Sequence, residues 1–275
     1  MDNKKGNMEA AIKAAEKTFK EFGTTPSVRF KITNDKPSIF ESKIGGIPYM
    51  PKNAEVPVYN TSEQLRFLMQ IKCSDVKGCD IFPKSGILQF WIAGDDVWGL
   101  YEDGGFRVIY YDTVDETVSE NDISSKILEM NDMEKEYFPL KGEFGVEFYP
   151  CEETISTDSM KYQKLFIKYY NELSGENIES IYKLPWEILD KVLYQANSAY
   201  GHKIGGSSDF CQGDPRESEE DFERYDFQLL QMSSDFNSEH ENIMWGDAGV
   251  AHFFIKSEKL KNCDFSDILY YADCC

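Results

Sequence analysis

Apolar residues recur along this chain with two different periods, and the changes of period divide it into elements. Over residues 7–22, Met8, Ile12, Ala15, Phe19 and Phe22 fall at helical spacing with charges on the other face, and Gly23 supplies a stop. Residues 27–32 (SVRFKI) alternate as a half-buried strand does. Gly45, Gly46, Pro48, Pro51 and Pro57 make 42–58 a run of turns. The apolar runs 65–71 and 86–93 predict two strands, followed by WGLY from Trp98 and, beyond Asp103-Gly104-Gly105, by FRVIYYD. Asp-Gly-Gly between apolar runs signals a hairpin, so this half is predicted to be an antiparallel meander. Residues 113–136 are acidic and weakly patterned, a helix with surface loops, and 144–149 alternate again. A helix over 159–173 carries Tyr162, Leu165, Phe166, Tyr169 and Leu173 on one stripe and ends at Gly175. Another over 184–196 has Pro185 in its first turn and Ile188, Leu189, Val192 and Leu193 as its apolar face. The closing DFSDILYYADCC predicts a last strand that needs sheet partners.

The second half repeats features of the first. Lys43-Ile44-Gly45-Gly46 is answered by Lys203-Ile204-Gly205-Gly206. Leu68-Met69-Gln70-Ile71 with Ser74-Asp75 is answered by Leu229-Leu230-Gln231-Met232 with Ser234-Asp235. GILQFWI from Gly86 is answered by GVAHFFI from Gly249, and Tyr110-Tyr111 by Tyr270-Tyr271. The offsets (43 to 203, 70 to 231, 86 to 249, 110 to 270) are 160, 161, 163 and 160, a drift expected of a diverged tandem duplication. No linker rich in Pro, Gly or Ser parts the copies. The expected fold is therefore β-rich α+β: internally duplicated antiparallel sheets, roll- or barrel-like, with three amphipathic helices. One domain spans 1–275, with repeats at 24–112 and 184–275 sharing a core.

Composition narrows the function more than the fold. A chain of 275 residues with 41% apolar and 14% aromatic positions can bury a substantial core. Its formal charge of −20 argues against nucleic-acid binding by phosphate neutralisation and against anionic membrane surfaces. The same charge suits a soluble cytoplasmic protein and a basic partner, although solubility alone is a sufficient reason for it. No run approaches the ~18 apolar residues of a membrane span, and the N-terminal lysines precede no apolar signal core. Seven cysteines without a CxxC fit reduced thiols better than a disulfide framework. With His202, His240 and His252 as the only histidines, neither a metal site nor a cofactor is expected.

Candidate chemistry gathers in the repeated segments. Gln70 and Gln231 sit in otherwise apolar strands, where an unpartnered amide costs ~1–3 kcal/mol. Each therefore answers backbone groups of a neighbouring strand or faces a cleft. Alternation places Gln89 and His252 at equivalent positions; His252 is a general base if a nucleophile reaches it, and a buried, hydrogen-bonded ring otherwise. No GxSxG, CGxCW or HExxH accompanies it. Trp245 and Asp247 lie in a glycine-flanked turn, where the indole stacks on a sugar or cation or anchors the turn. Arg216, in Asp214-Pro215-Arg216, is available for an ion pair with Asp235 or Asp247. The Gly-Gly pairs read as tight turns rather than phosphate cradles, since no GxxxxGK[ST] follows. The acidic stretch 214–226 is a solvated face or a docking strip.

The combination HKIGG…DPR, LLQ…SD and WGD.G…FFI resembles the YwqG family of bacterial proteins, a domain of unknown function, most clearly over 201–275. That resemblance implies a soluble, mainly β, α+β fold with an internal repeat and brings no catalytic residues. Some relatives lie near secreted-toxin systems, which implies an immunity or partner-binding role. The leading expectation is a non-enzymatic binding protein, an antidote that covers a basic protein surface. The alternatives are a small-molecule or carbohydrate site between the repeats, drawing on Gln70, Gln89, Gln231, Trp245, Asp247 and His252, and a hydrolase using His252 or Asp247.

Overall fold

The fold was taken from a computed structural model that describes residues 2–59, 63–194, 196, 199–217, 224–237 and 240–274. Its strands are β1 (Thr24–Thr33), β2 (Lys43–Gly45), β3 (Val58–Tyr59), β4 (Glu63–Gln64), β5 (Arg66–Lys72), β6 (Ile87–Ile92) and β7 (Phe106–Tyr111). After these come β8 (Glu143–Thr154), β9 (Lys203–Gly205), β10 (Phe227–Ser233), β11 (Asp235–Asn237), β12 (His240–Ile243), β13 (Val250–Ile255) and β14 (Ile268–Asp273). Ten of them form one sheet in the order β14-β13-β10-β9-β1-β8-β2-β5-β6-β7. Every pairing within it is antiparallel. The expected twin sheets are thus one continuous sheet, because β1 and β8 pair along their whole shared length, from Thr24 opposite Thr154 to Thr33 opposite Gly145.

From either edge the strand order reads alike. β7, β6, β5 and β2 on one side and β14, β13, β10 and β9 on the other carry the matched segments, and β8 and β1 meet in the middle. Irregularities match as well: the ladder slips between Phe67 and Met69 in β5 and between Gln228 and Leu230 in β10. Each slip is a bulge, which sharpens the local twist and helps the sheet to curl. The curl brings the two edges together until the sheet is nearly closed. Phe106 of β7 packs on Tyr270 of β14 at 5.2 Å, and the matched Phe90 and Phe253 meet edge to face at 4.9 Å. These rings join Leu68, Met69, Leu229, Leu230 and Met232 in a single inner core.

Buried polar groups tie the turns to this sheet, in the same way in both halves. Gln70 Nε2 donates to the carbonyls of Ile39 (2.8 Å) and Glu41 (2.7 Å), and its Oε1 accepts from the Tyr49 amide at 2.9 Å. Gln231 Nε2 donates to Ala199 (2.9 Å) and Gly201 (2.8 Å), and its Oε1 accepts from the Asp209 amide at 3.0 Å. The three partners differ by 160 positions in every case (39 to 199, 41 to 201, 49 to 209). The amides thus bind the loop beside their own strand, not a neighbouring strand's backbone. Lys43 and Lys203, both fully covered, lie opposite these glutamines. Lys43 donates to the carbonyl of Ile47 and Lys203 to that of Ser207, and each pairs with a glutamate of β8: Glu143 at one end, Glu153 at the other. Gly45 and Gly46, at φ +64° and +71°, and Gly205 and Gly206, at +70° and +71°, make the tight turns that follow. A β-carbon on Gly46 or Gly206 would run into the carboxylate of Glu143 or Glu153, so turn and ion pair demand each other.

The helices pack outside the sheet. α1 (Asp2–Phe22) buries Ala10, Ala11, Ala14 and Ala15; of the predicted stripe Ala15 is buried, Met8 and Phe19 pack on the same core, and Phe22 is exposed. Opposite it α4 (Met160–Ser174) presents the bulky Tyr162, Phe166, Tyr169 and Tyr170, and Phe19 meets the Tyr162 ring at 5.1 Å. The acidic segment 113–136 contains two short capped helices, α2 (Glu120–Ser124) and α3 (Asp132–Tyr137). The helix expected over 184–196 is the four-residue α5 (Trp186–Leu189), continued by a wider π turn over Asp190–Tyr194; position 195 lies outside the described residues. A sixth helix, α6 (Ser257–Lys261), precedes β14. Among the described residues no helix is long and apolar enough to cross a membrane.

Replacing either glutamine by leucine strands the same two carbonyls and one amide in a dry interior. Gln70→Leu and Gln231→Leu are each expected to cost about 2–4 kcal/mol, by closely similar amounts, in urea unfolding. A neutral substitution at either site would contradict the bracket assigned here.

Candidate functional site

The six side chains expected around a junctional cleft do not converge on one. Gln70, Gln89, Gln231, His252 and Trp245 are all fully buried, and Asp247 alone is exposed. Gln89 Nε2 donates to the Tyr49 carbonyl and its Oε1 accepts from Trp91 Nε1 at 3.1 Å, which holds the same loop that Gln70 holds. His252 occupies the matching place in β13. Its Nδ1 lies 3.3 Å from Gln228 Oε1, and its ring is sandwiched against Phe210 (4.4 Å) and Phe254 (5.4 Å). Burial drives its pKa well below the usual imidazole range, and the charges of Arg216 and Lys203 push the same way. A neutral ring closed in by aromatics is poorly placed to take a proton from a substrate.

Arg216 does not reach Asp235 or Asp247. Its guanidinium turns back on Asp214, at 2.8 Å from Nε and 2.6 Å from Nη2, and lies over the Phe254 ring at 3.9 Å. Two residues of separation place the carboxylate within reach before any distant acid is. Asp235 instead faces His202 at 3.8 Å, and hydrogen bonding to that imidazole lowers its pKa. The acidic stretch is likewise occupied at its described ends. Glu217 accepts from the Met160 amide at the start of α4, and Asp226 from the Ser257 amide; positions 218–223 lie outside the described residues. Asp273 is a buried carboxyl that receives the Gln212 amide at 2.7 Å, and desolvation raises its pKa to about 6.

A cleft between the halves does exist, at the seam where the sheet nearly closes. The WGD turn reaches it through Gly246, while Trp245 is fully buried behind it and meets Trp98 edge to face at 5.5 Å. Trp98 has φ +56° and is pinned by Asp95, whose carboxylate accepts from the amides of Val97 (3.0 Å) and Gly99 (2.8 Å). Its Nε1 donates to the Tyr137 carbonyl at 3.1 Å, drawing the end of α3 against the seam. The space left, about 440 Å³, is walled by Trp98, Tyr137, Phe138 and Met244, and Asp96, Glu136 and Lys141 are its charged lining residues. Asp96 and Glu136 are exposed, and among the described residues neither has an ion-pair partner. In the sequence Trp98 stood out only as the start of the WGLY run. The pattern gave no sign of Glu136 and Tyr137, which lie in and just beyond the least patterned stretch of the chain.

Residues 42–274 match the family described as Domain of unknown function (DUF1963). The chain belongs to this family. Among curated proteins none matches it. The DUF1963 span contains both lysine–glutamate pairs, the Gln231 bracket, Gln70 itself and the whole seam cleft, and it begins after α1, β1 and the two carbonyls that Gln70 binds. β1 nevertheless completes this DUF1963 sheet: Arg29 bonds Glu153 at 2.6–2.7 Å and so shares the carboxylate that neutralises Lys203. Burial lowers the pKa of Lys203 to about 8, against the pull of Glu153. Among the described residues no group of three or more His, Cys, Asp or Glu could hold a metal ion. Among the described residues Cys73, Cys79, Cys151, Cys211, Cys263 and Cys274 are free thiols.

The match between Gln89 and His252 predicts a pH dependence. The folded His252 binds its proton more weakly than the unfolded residue, so the stability it permits is complete above pH ~6.5 and declines as pH falls below that value. His252→Gln installs the residue of the other half. It is expected to fold and to lose less stability than wild type between neutral pH and mild acid, as followed by thermal melts across pH. Parallel acid profiles for the two proteins would show that His252 titrates normally.

Proposed function

We propose that this protein is a non-enzymatic binding protein whose seam cleft receives a basic side chain of a protein partner. The observation that carries the proposal is the seam itself: aromatic walls from Trp98 and the 43%-exposed Tyr137, with the unpaired carboxylates of Asp96 and Glu136 beside them. Aromatic faces and carboxylates together suit a lysine or arginine head, through cation–π attraction and charge-assisted hydrogen bonds. The net charge of −20 would speed the encounter with a basic surface, and the aromatic wall would supply the anchor. An antidote that covers a basic protein in the cytoplasm is the form this takes most simply, in keeping with the resemblance to the YwqG family.

The matching hydrogen bonds, bulges and turns of the two halves support descent from one doubled unit. On that view the seam is where the copies meet, and a site there belongs to neither copy alone. The closure that forms it uses Trp98 from the first half and Met244, Gly246 and Cys274 from the second.

Calorimetric titration with a lysine-rich peptide is expected to show binding that weakens as salt is raised. Asp96→Asn combined with Glu136→Gln should reduce that affinity by about tenfold or more, with no change in melting temperature. Unchanged affinity in the double variant, or equal binding of a glutamate-rich peptide, would contradict the proposal.

A further inference from the structure

The two halves share their backbone brackets but not the surface laid over them. In the first half the outer face of the sheet is sealed by Tyr49, Met50, Val56, Val118 and Ile123, packed on Ile87, Phe67 and Trp91 in a second apolar core. Phe67 meets Trp91 at 5.2 Å there. In the second half the positions matched to Ile47, Met50 and Phe67 are Ser207, Phe210 and Gln228. Where the first half has a filled core, the second has an open cleft of about 520 Å³. It runs between the turn after β9 and the ends of α1 and α4, and its lining includes Phe22, Thr25, Lys161, Ser207, Phe210 and Arg216. The volume lies within the ~300–1,000 Å³ typical of small-ligand sites.

Most polar groups of this cleft are already committed. Arg216 is locked by Asp214 and Phe254, Ser208 Oγ donates to Gln228 at 2.5 Å, and Glu217 caps α4. They form a rigid frame. Lys161 is exposed and has no carboxylate partner among the described residues. The backbone of Ser207 is held on both sides, its amide donating to Glu153 at 3.2 Å and its carbonyl accepting from Lys203, so its hydroxyl is presented at a fixed place. The rings of Phe22 and Phe210 supply apolar faces. Among the described residues of the lining, the carboxylates of Asp214, Glu217 and Asp226 are taken up by Arg216, the Met160 amide and the Ser257 amide. That leaves Lys161, the hydroxyls of Ser207 and Thr25 and the aromatic walls to meet a ring that carries hydroxyls and one carboxylate.

We infer that the cleft over the second half is a binding site for an acidic sugar of the uronic-acid class, with Lys161 taking the carboxylate and Ser207 a ring hydroxyl. The site is separate from the seam cleft, and each stands or fails without the other. The first half shows that the same frame can be sealed with apolar side chains, so the polar cleft over the second half is not demanded by the frame.

The test is titration of the full chain with D-glucuronate and, in parallel, D-glucose, followed by protein NMR shifts. Saturable glucuronate binding is expected, with glucose weaker by about tenfold or more. Lys161→Ala should abolish the preference, and Ser207→Ile, which installs the first half's residue, should weaken glucuronate about tenfold; Ser207→Ala and Thr25→Val serve if the isoleucine is not accommodated. Both variants should keep the wild-type melting temperature. Absence of saturable glucuronate binding by folded wild type overturns the inference. So does equal affinity for the two sugars, or undiminished glucuronate binding in variants that melt normally.

Discussion

Each half of this sheet depends on a glutamine buried in an apolar strand and made to serve three backbone groups at once. Gln70 and Gln231 are the residues through which the loops flanking the short strands β2 and β9 are fastened to the sheet, on both sides of each strand. The neighbouring Lys43 and Lys203 repeat the principle with charge, each gripping a loop carbonyl and a glutamate of β8. A buried ion pair adds little net stability on its own, because desolvation offsets attraction. Its effect is specification: each lysine must lie where its glutamate lies, and this sets the register of β2 and β9 against the central pair. The bulges, the curl and the near closure follow from strands held in that register.

The halves then diverge in what they carry over a common frame. Around Glu143 the carboxylate is partly open and meets Lys43 alone; around Glu153 it is buried and serves Lys203, Arg29, Ser27 and the Ser207 amide. The first half is sealed by apolar side chains, whereas the second carries an open cleft floored by a lattice of Arg216, Asp214, Gln228 and His252 over aromatic rings. Polar groups in that number fix a surface more sharply than apolar packing does, since each has few geometries that satisfy it.

Much of the frame was legible in the chain. Period-two runs located the strands of the meander, and the Lys-Ile-Gly-Gly and Leu-Gln segments located the matched positions because buried polar residues and positive-φ glycines leave few alternatives. What the chain did not display was closure. Nothing in local pattern says that Phe90 will meet Phe253, or that β1 and β8 will pair and merge the halves into one sheet, since those contacts join residues more than a hundred positions apart. The seam cleft shares that limit: Trp98, Tyr137 and Met244 come from three separated segments, and only the closing of the sheet brings them together. Side-chain size misled in part at α1, where Phe22 of the predicted stripe is exposed and Ala10, Ala11 and Ala14, outside it, are buried against the aromatics of α4. Arg216 misled for the opposite reason, being drawn to the nearest acid in sequence when distant ones looked equally suitable.

Native-state hydrogen exchange at the amides of Tyr49 and Asp209 tests the central claim most directly. Both lie in loops, where exchange is ordinarily fast, and both donate to a buried glutamine oxygen. If the brackets hold the sheet together, the two amides exchange only through global unfolding, with protection equal to that of β5 and β10. Exchange at the rate of the surrounding loop, at either position, would contradict the account.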